Sequence, residues 1–234
     1  MSRGFWLGML IFCAWLVTLL GLLLVDPLRW SPPALLLAVG VRTFLQTGLF
    51  ILGHDAMHRT LVPARRWFND GLGRLALLLY AALPYGHCRR QHLRHHRSPG
   101  SVRDPDFRST SSDGPLLWYV RFMGNYLSTA QLLRLLLTWA VVALALARTE
   151  PLRATNVMIF WILPLVLSSF QLFLFGTYLP HRHGVCPGED DNGVRSLPCS
   201  WFLSLLACYH FGYHREHHAC PTVPWFRLPQ LSNR

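Results

Sequence analysis

Of the 234 residues, 52% are hydrophobic and only 14% charged, and the mean hydropathy is positive, which excludes an ordinary soluble domain and points to a chain built for the bilayer. The formal net charge of +11 comes entirely from arginine, since lysine is absent. A nucleic-acid groove would have to coexist with several bilayer-length apolar runs, so loop charge that sets membrane topology is the simpler account and no nucleic acid is expected.

Residues 5–25 are an uncharged run, about 30 Å long as a helix, which matches the hydrocarbon thickness. It is long for a signal peptide and no small-residue cleavage site follows. After a Pro-rich turn, residues 34–53 return across the membrane, interrupted by Arg42 and Gln46. Arg42 falls near mid-membrane, where a charge is either functional or paired with a polar group on a neighbouring helix. On the helical wheel Thr43, Thr47 and Phe50 share a face with His54 and His58, so that face is a candidate substrate tunnel leading to the histidines.

Residues 72–83 are apolar but too short to cross, and residues 196–211 repeat the pattern. Both are expected to be re-entrant or interfacial, because a crossing would divide the histidine clusters between the two sides. Residues 116–122 are expected to be interfacial, residues 125–147 a third span and residues 157–179 a fourth, which delivers His181. The fold class expected is all-α integral membrane: four transmembrane helices plus two short re-entrant or interfacial segments, in a single domain over 1–234, with a cytoplasmic-side histidine cluster and both termini cytoplasmic. In that layout the external loops carry Arg29, Arg148 and Arg153 against sixteen arginines on the cytoplasmic side, in agreement with the positive-inside rule. The six cysteines (13, 88, 186, 199, 208 and 220) form no C-x-x-C pair, so reduced thiols are expected.

The chemistry lies in three histidine clusters. His92, His95 and His96 have H-x-x-H-H spacing, His214, His217 and His218 repeat it, and His54 and His58 are i, i+4 neighbours; each set falls on one helix face. Neutral imidazole is a metal ligand, and eight of them exceed the four ligands of one closed zinc site, so two metals are expected. His181 is the natural ninth ligand. The H-E-x-x-H metalloprotease pattern and the Glu-x-x-His motifs of soluble di-iron bundles are both absent. Asp55, Asp104, Asp106 and Glu216 are either partners that orient ligand imidazoles or solvated loop charges. His87, His183 and His210 lack the cluster spacing and are supporting or solvated groups.

Several stretches narrow the reading. His54-Asp-Ala-Met-His58, His92-Leu-Arg-His95-His96, Asp104-Pro-Asp-Phe107, Phe175-Gly-Thr-Tyr-Leu-Pro-His181-Arg182, the run from Tyr209 to His218 and Val223-Pro-Trp225 together resemble the integral-membrane histidine-rich di-iron oxygenases. More narrowly they resemble the bacterial-type beta-carotene ketolases, over about residues 53–229. The histidine boxes alone are shared with fatty-acid desaturases. Ser98-Pro99 and Val102-Arg103 depart from the family, which tends to be more polar or acidic there.

The resemblance implies two iron ions, molecular oxygen as cosubstrate and an external electron donor such as ferredoxin. It implies oxidation of carbon 4 of a carotenoid beta-ionone ring to a ketone by two successive hydroxylations and loss of water. The products implied are echinenone and canthaxanthin, or astaxanthin from zeaxanthin. The competing readings are a fatty-acyl desaturase or hydroxylase on the same scaffold, and a membrane metal or heme-binding transporter. Transporters tend to hold ligands near the membrane midplane, whereas these clusters lie at the ends of the apolar runs.

Overall fold

The computed structural model describes residues 2–107, 114–183 and 193–232. Cys186 and Arg108 lie outside them. Among the described residues all regular structure is helical.

The first helix, α1 (Arg3–Leu23), is capped by the Ser2 hydroxyl, which accepts from the Phe5 amide. Phe5, Gly8, Phe12, Trp15, Leu19 and Leu23 recur at three- and four-residue spacing and are buried, while Trp6, Leu10, Val17 and Leu20 are exposed. An apolar outer face beside an apolar inner one is what a helix in lipid requires. The second helix, α2 (Pro32–Met57), starts on Pro32 and Pro33 and is 26 residues long. That is about 39 Å against a hydrocarbon core of about 30 Å, so its last turns, with His54, project beyond the apolar layer.

Arg42 is fully buried and serves as a structural tie. Its guanidinium donates to the carbonyls of Phe160 (3.0 Å) and Trp15 (2.8 Å) and to the Thr18 hydroxyl (3.0 Å), and it lies over the Trp15 ring. The adjacent Gln46 accepts from the Trp15 indole at 2.7 Å.

α3 (Arg66–Ala81) runs back down along α2 at close range. A Cβ on Gly73 would lie 2.6 Å from the Ala56 Cβ, and one on Gly53 would lie 2.5 Å from Leu77. The Tyr80 carbonyl accepts from Gln46, eight residues and about 12 Å deeper than His54. Ala82 then takes a left-handed conformation and α4 (Tyr85–Arg97) climbs back, setting His92 4.4 Å from His54, ring to ring. The segment dips and returns.

α5 (Pro115–Tyr126) is short. α6 (Thr129–Ala147) begins at a capping box formed by Ser128 and Gln131. The third span therefore starts four residues later than the apolar pattern suggests, and Asn125 lies in the last turn of α5 with its amide on the Pro105 carbonyl (2.6 Å). Most of α6 is exposed, as a lipid-facing helix should be. The fourth span, α7 (Arg153–His181), begins four residues earlier than expected and contains two π turns, Met158–Ile162 and Leu174–Tyr178.

α8 (Trp201–Cys208) is the second dip. At its end Tyr209 is left-handed, stacks on Phe44 at 4.3 Å and donates to the Phe44 carbonyl, well below His54. The chain then returns through α9 (His214–Ala219), and a 3-10 turn, Trp225–Gln230, packs beneath it. α1, α2, α6 and α7 are long and apolar enough to cross a membrane, and the chain is a multi-pass membrane protein.

Candidate metal centre

Four helix ends converge on one face of the bundle: α2 brings His54 and, at its C-cap, His58; α4 brings His92, His95 and His96; α7 ends on His181; and α9 carries His214, His217 and His218. All nine expected imidazoles meet there, in two groups. The first is His54, His58, His92, His96 and His217; the second is His95, His181, His214 and His218, and in each the ligand atoms lie within 4.8 Å of one another. In the first group, Nε2 atoms are 2.7 Å apart for His58 and His92, 3.1 Å for His92 and His96, and 3.0 Å for His96 and His217. In the second they are 3.1 Å for His95 and His218, 2.9 Å for His181 and His214, and 3.2 Å for His214 and His218. The His96 and His218 rings stack at 4.1 Å and join the groups.

These separations test whether the residues suit a metal. With bonds of about 2.1 Å, neighbouring nitrogens are about 3.0 Å apart in an octahedral shell and about 3.4 Å in a tetrahedral one. The observed edges match the former, and five rings in one group exceed a closed tetrahedral set. Burial, then the charge of the neighbouring rings, holds His92, His214, His217 and His218 well below the usual histidine range. The same causes bring His96 down to about 2. Neutral rings are the ligating form, so the donor set fits a pair of metal ions.

The aspartates differ from one another. Asp104 accepts from His95 Nδ1 at 2.9 Å and also takes the amides of Gly100 and Asp106. Burial opposes ionisation of Asp104, but those bonds outweigh it and hold the carboxyl below its usual range. The same bond, with the Asp106 charge, raises His95 against the pull of burial. Asp106 lies 4.0 Å from His95, accepts from the Tyr126 hydroxyl at 2.6 Å and is pushed up to about 6 by burial. Asp55 is 3.8 Å from His54 Nδ1, too far for a hydrogen bond. Glu216 accepts from Ser196.

The three remaining histidines stay out of both groups. His87 meets the Asn125 carbonyl, His183 accepts from Arg182, and His210 packs against Trp201 and Trp225.

Beneath the histidines lies a cavity of ≈ 270 Å³, bounded by His54 and His92 of the first group and His95 and His214 of the second. Phe50 lines it as expected. Thr43 and Thr47 do not: Thr43 bonds back to the Val39 carbonyl, and Thr47 is fully buried against Ser168 and Gln171 of α7. The cavity runs instead between α5, α6 and α7, past Tyr119, Phe122, Tyr126, Trp139 and Leu165. Sequence reasoning missed the α5 wall. The aromatic stripe Tyr119, Phe122, Tyr126, at i, i+3, i+7 spacing on one helix face, was the available signal.

A model of the fatty acid desaturase family matches residues 28–140 and 121–234. A beta-carotene ketolase of Paracoccus sp. (strain N81106 / MBIC 01143) is 44% identical over 193 residues, covering 82% of this chain and 76% of that protein. Beta-carotene 4-ketolase 3 of Haematococcus lacustris is 41% identical, covering 83% of this chain and 62% of its own length. A zeaxanthin 4-ketolase of Chlamydomonas reinhardtii is 36% identical over 96% of this chain and 50% of its own.

Proposed function

This chain belongs to the fatty acid desaturase family and, within it, to the beta-carotene ketolases, and on that premise we propose that it oxidises carbon 4 of carotenoid beta-ionone rings to the ketone. Beta-carotene would give echinenone and canthaxanthin, and zeaxanthin would give astaxanthin. The observation that carries this reading is the union of two imidazole groups with an apolar cavity that opens beneath both.

His54, His58, His92, His96 and His217 would hold one iron and His95, His181, His214 and His218 the other. When bound, the pair would supply activation of molecular oxygen for attack on a ring C–H bond. Asp104 accepts from Nδ1–H of His95, which would leave Nε2 free as the ligating nitrogen. The aromatic and aliphatic walls admit a rod-shaped hydrocarbon from the lipid and exclude water. The cavity-lining stretch of α7 from Ile162 to Thr177 is about 22 Å long, which suits an elongated substrate. Two successive hydroxylations at one carbon give a gem-diol, and loss of water leaves the ketone.

Electrons would come from an acidic carrier protein such as ferredoxin. Exposed Arg94, Arg97, Arg103, Arg182 and Arg215 on the histidine-bearing side support such docking, as they would attract an acidic surface. The excess of arginine on that side supports its being cytoplasmic, together with both termini.

Expression in a host that accumulates beta-carotene tests the reading. A red shift in pigment absorption with 4-keto products is expected. Unchanged pigment with altered acyl chains would replace it with a desaturase.

A further inference from the structure

The last span reaches the metal centre through a π turn, Leu174–Tyr178, one turn before His181. Along α7 the residues facing the cavity before this turn are Ile162, Leu165, Val166, Ser169 and Leu172, one face of a helix. Past the π turn, Thr177 lines the cavity together with Gly176, and His181 rather than Pro180 joins the second histidine group. Such turns inside helices are frequent at functional sites.

Thr177 is 5% exposed and its hydroxyl has no hydrogen-bond partner among the described residues. The other hydroxyl groups on the cavity wall each have a partner. Tyr119 and Ser169 bond to each other at 2.7 Å, Tyr126 donates to Asp106, and the unpartnered Trp139 indole nitrogen is enclosed by protein atoms. The Thr177 hydroxyl is not enclosed in that way. A buried hydroxyl left open to an apolar cavity beside a reaction centre is costly unless a ligand completes it.

We propose that Thr177 holds the alcohol formed by the first oxidation, so that the same carbon is presented for the second. The proposal rests on the ketolase reading. The first hydroxylation turns an apolar ring into a secondary alcohol, whose oxygen has to find a partner in a cavity otherwise closed to water. A threonine hydroxyl can both donate to and accept from it without bringing a charge. Pinned there, the remaining C–H on carbon 4 stays toward the imidazole groups and the alcohol is retained until it becomes the ketone. Thr177 is thus a residue that touches substrate and sets how far the oxidation proceeds.

The test compares wild type, Thr177→Val, Thr177→Ala and Thr177→Ser in a beta-carotene-producing host, with products separated as 4-hydroxy and 4-keto carotenoids. Loss of one hydrogen bond should raise the ratio of alcohol to ketone about 3- to 10-fold in the valine and alanine variants, with ring oxidation retained, and serine should restore it. Titration of metal-free protein in detergent gives a readout apart from turnover. Wild type should bind the 4-hydroxy carotenoid more tightly than beta-carotene by a similar factor, and Thr177→Val should lose that preference. An unchanged product ratio alongside an unchanged binding preference would overturn the proposal, as would a defect confined to substrates already hydroxylated at carbon 3. A wild type that oxidises no ring at all would overturn the ketolase reading itself.

Discussion

Asp104 is the one carboxylate, among the described residues, in direct hydrogen-bond contact with a clustered imidazole, at 2.9 Å from His95 Nδ1, and both side chains are buried. His54, His181 and His214 have buried Nδ1 atoms without a partner, so the ring orientation of His95 is held in a way that theirs is not. Removal of this partner in Asp104→Ala should weaken the second metal position about 10- to 100-fold and spare the first. Metal analysis after mild chelation should then fall from two ions per chain toward one. Equal loss from both positions would contradict the assignment.

The approach of α3 to α2 depends on Gly73. A methyl group there would meet the Ala56 Cβ at 2.6 Å and the Tyr85 ring at 2.5 Å. Gly73→Ala should cost about 1–3 kcal/mol through overpacking, read as a lower melting temperature in detergent. Because Ala56 lies between His54 and His58, iron retention should fall with it.

Leu172 is buried on the cavity wall. Leu172→Trp fills space that the substrate needs without touching a histidine. Turnover of carotenoid should drop at least about tenfold with iron content unchanged, since a ring in place of an isobutyl group blocks a tunnel of this width. Full activity would place the substrate elsewhere.

His210 supplies a pH dependence. Burial lowers its pKa to about 4, below the ordinary value near 6.5. A histidine with a depressed folded-state pKa contributes stability that is present above the unfolded value and is lost as pH falls from about 6.5 to about 4. The clustered histidines titrate as well, so the informative quantity is the difference between the parent and His210→Phe, which keeps a ring beside Trp201 and Trp225. That difference should shift in favour of the variant by about 1–3 kcal/mol across this window and stay flat above pH 7.

The spans and the meeting of the histidine clusters were largely legible because both rest on local periodicity. Uncharged runs of bilayer length give the helices, and i, i+3, i+4 histidines give the faces. The short runs at 72–83 and 196–211 were readable as dips from length alone, since a crossing would have separated His54 from His92. The tunnel was less legible, for a physical reason: a helical wheel gives the angle at which Thr47 points but not which helix packs there, and at that depth α7 fills the space with Ser168 and Gln171. The start of the third span was misjudged even though Ser128 and Gln131 carry a capping-box spacing, because the apolar pattern on either side ran through it. No residue type marks a π turn, so the one at Leu174–Tyr178 could only be seen in the structure.

The central claim is that nine imidazoles on one side of the membrane build two adjacent metal positions. The most direct test is the iron content of the purified chain, measured for wild type, His96→Ala and His181→Ala. The account predicts close to two irons per chain in wild type and close to one in each variant, with a different iron lost in each. One iron in wild type, or zinc in its place, would contradict it.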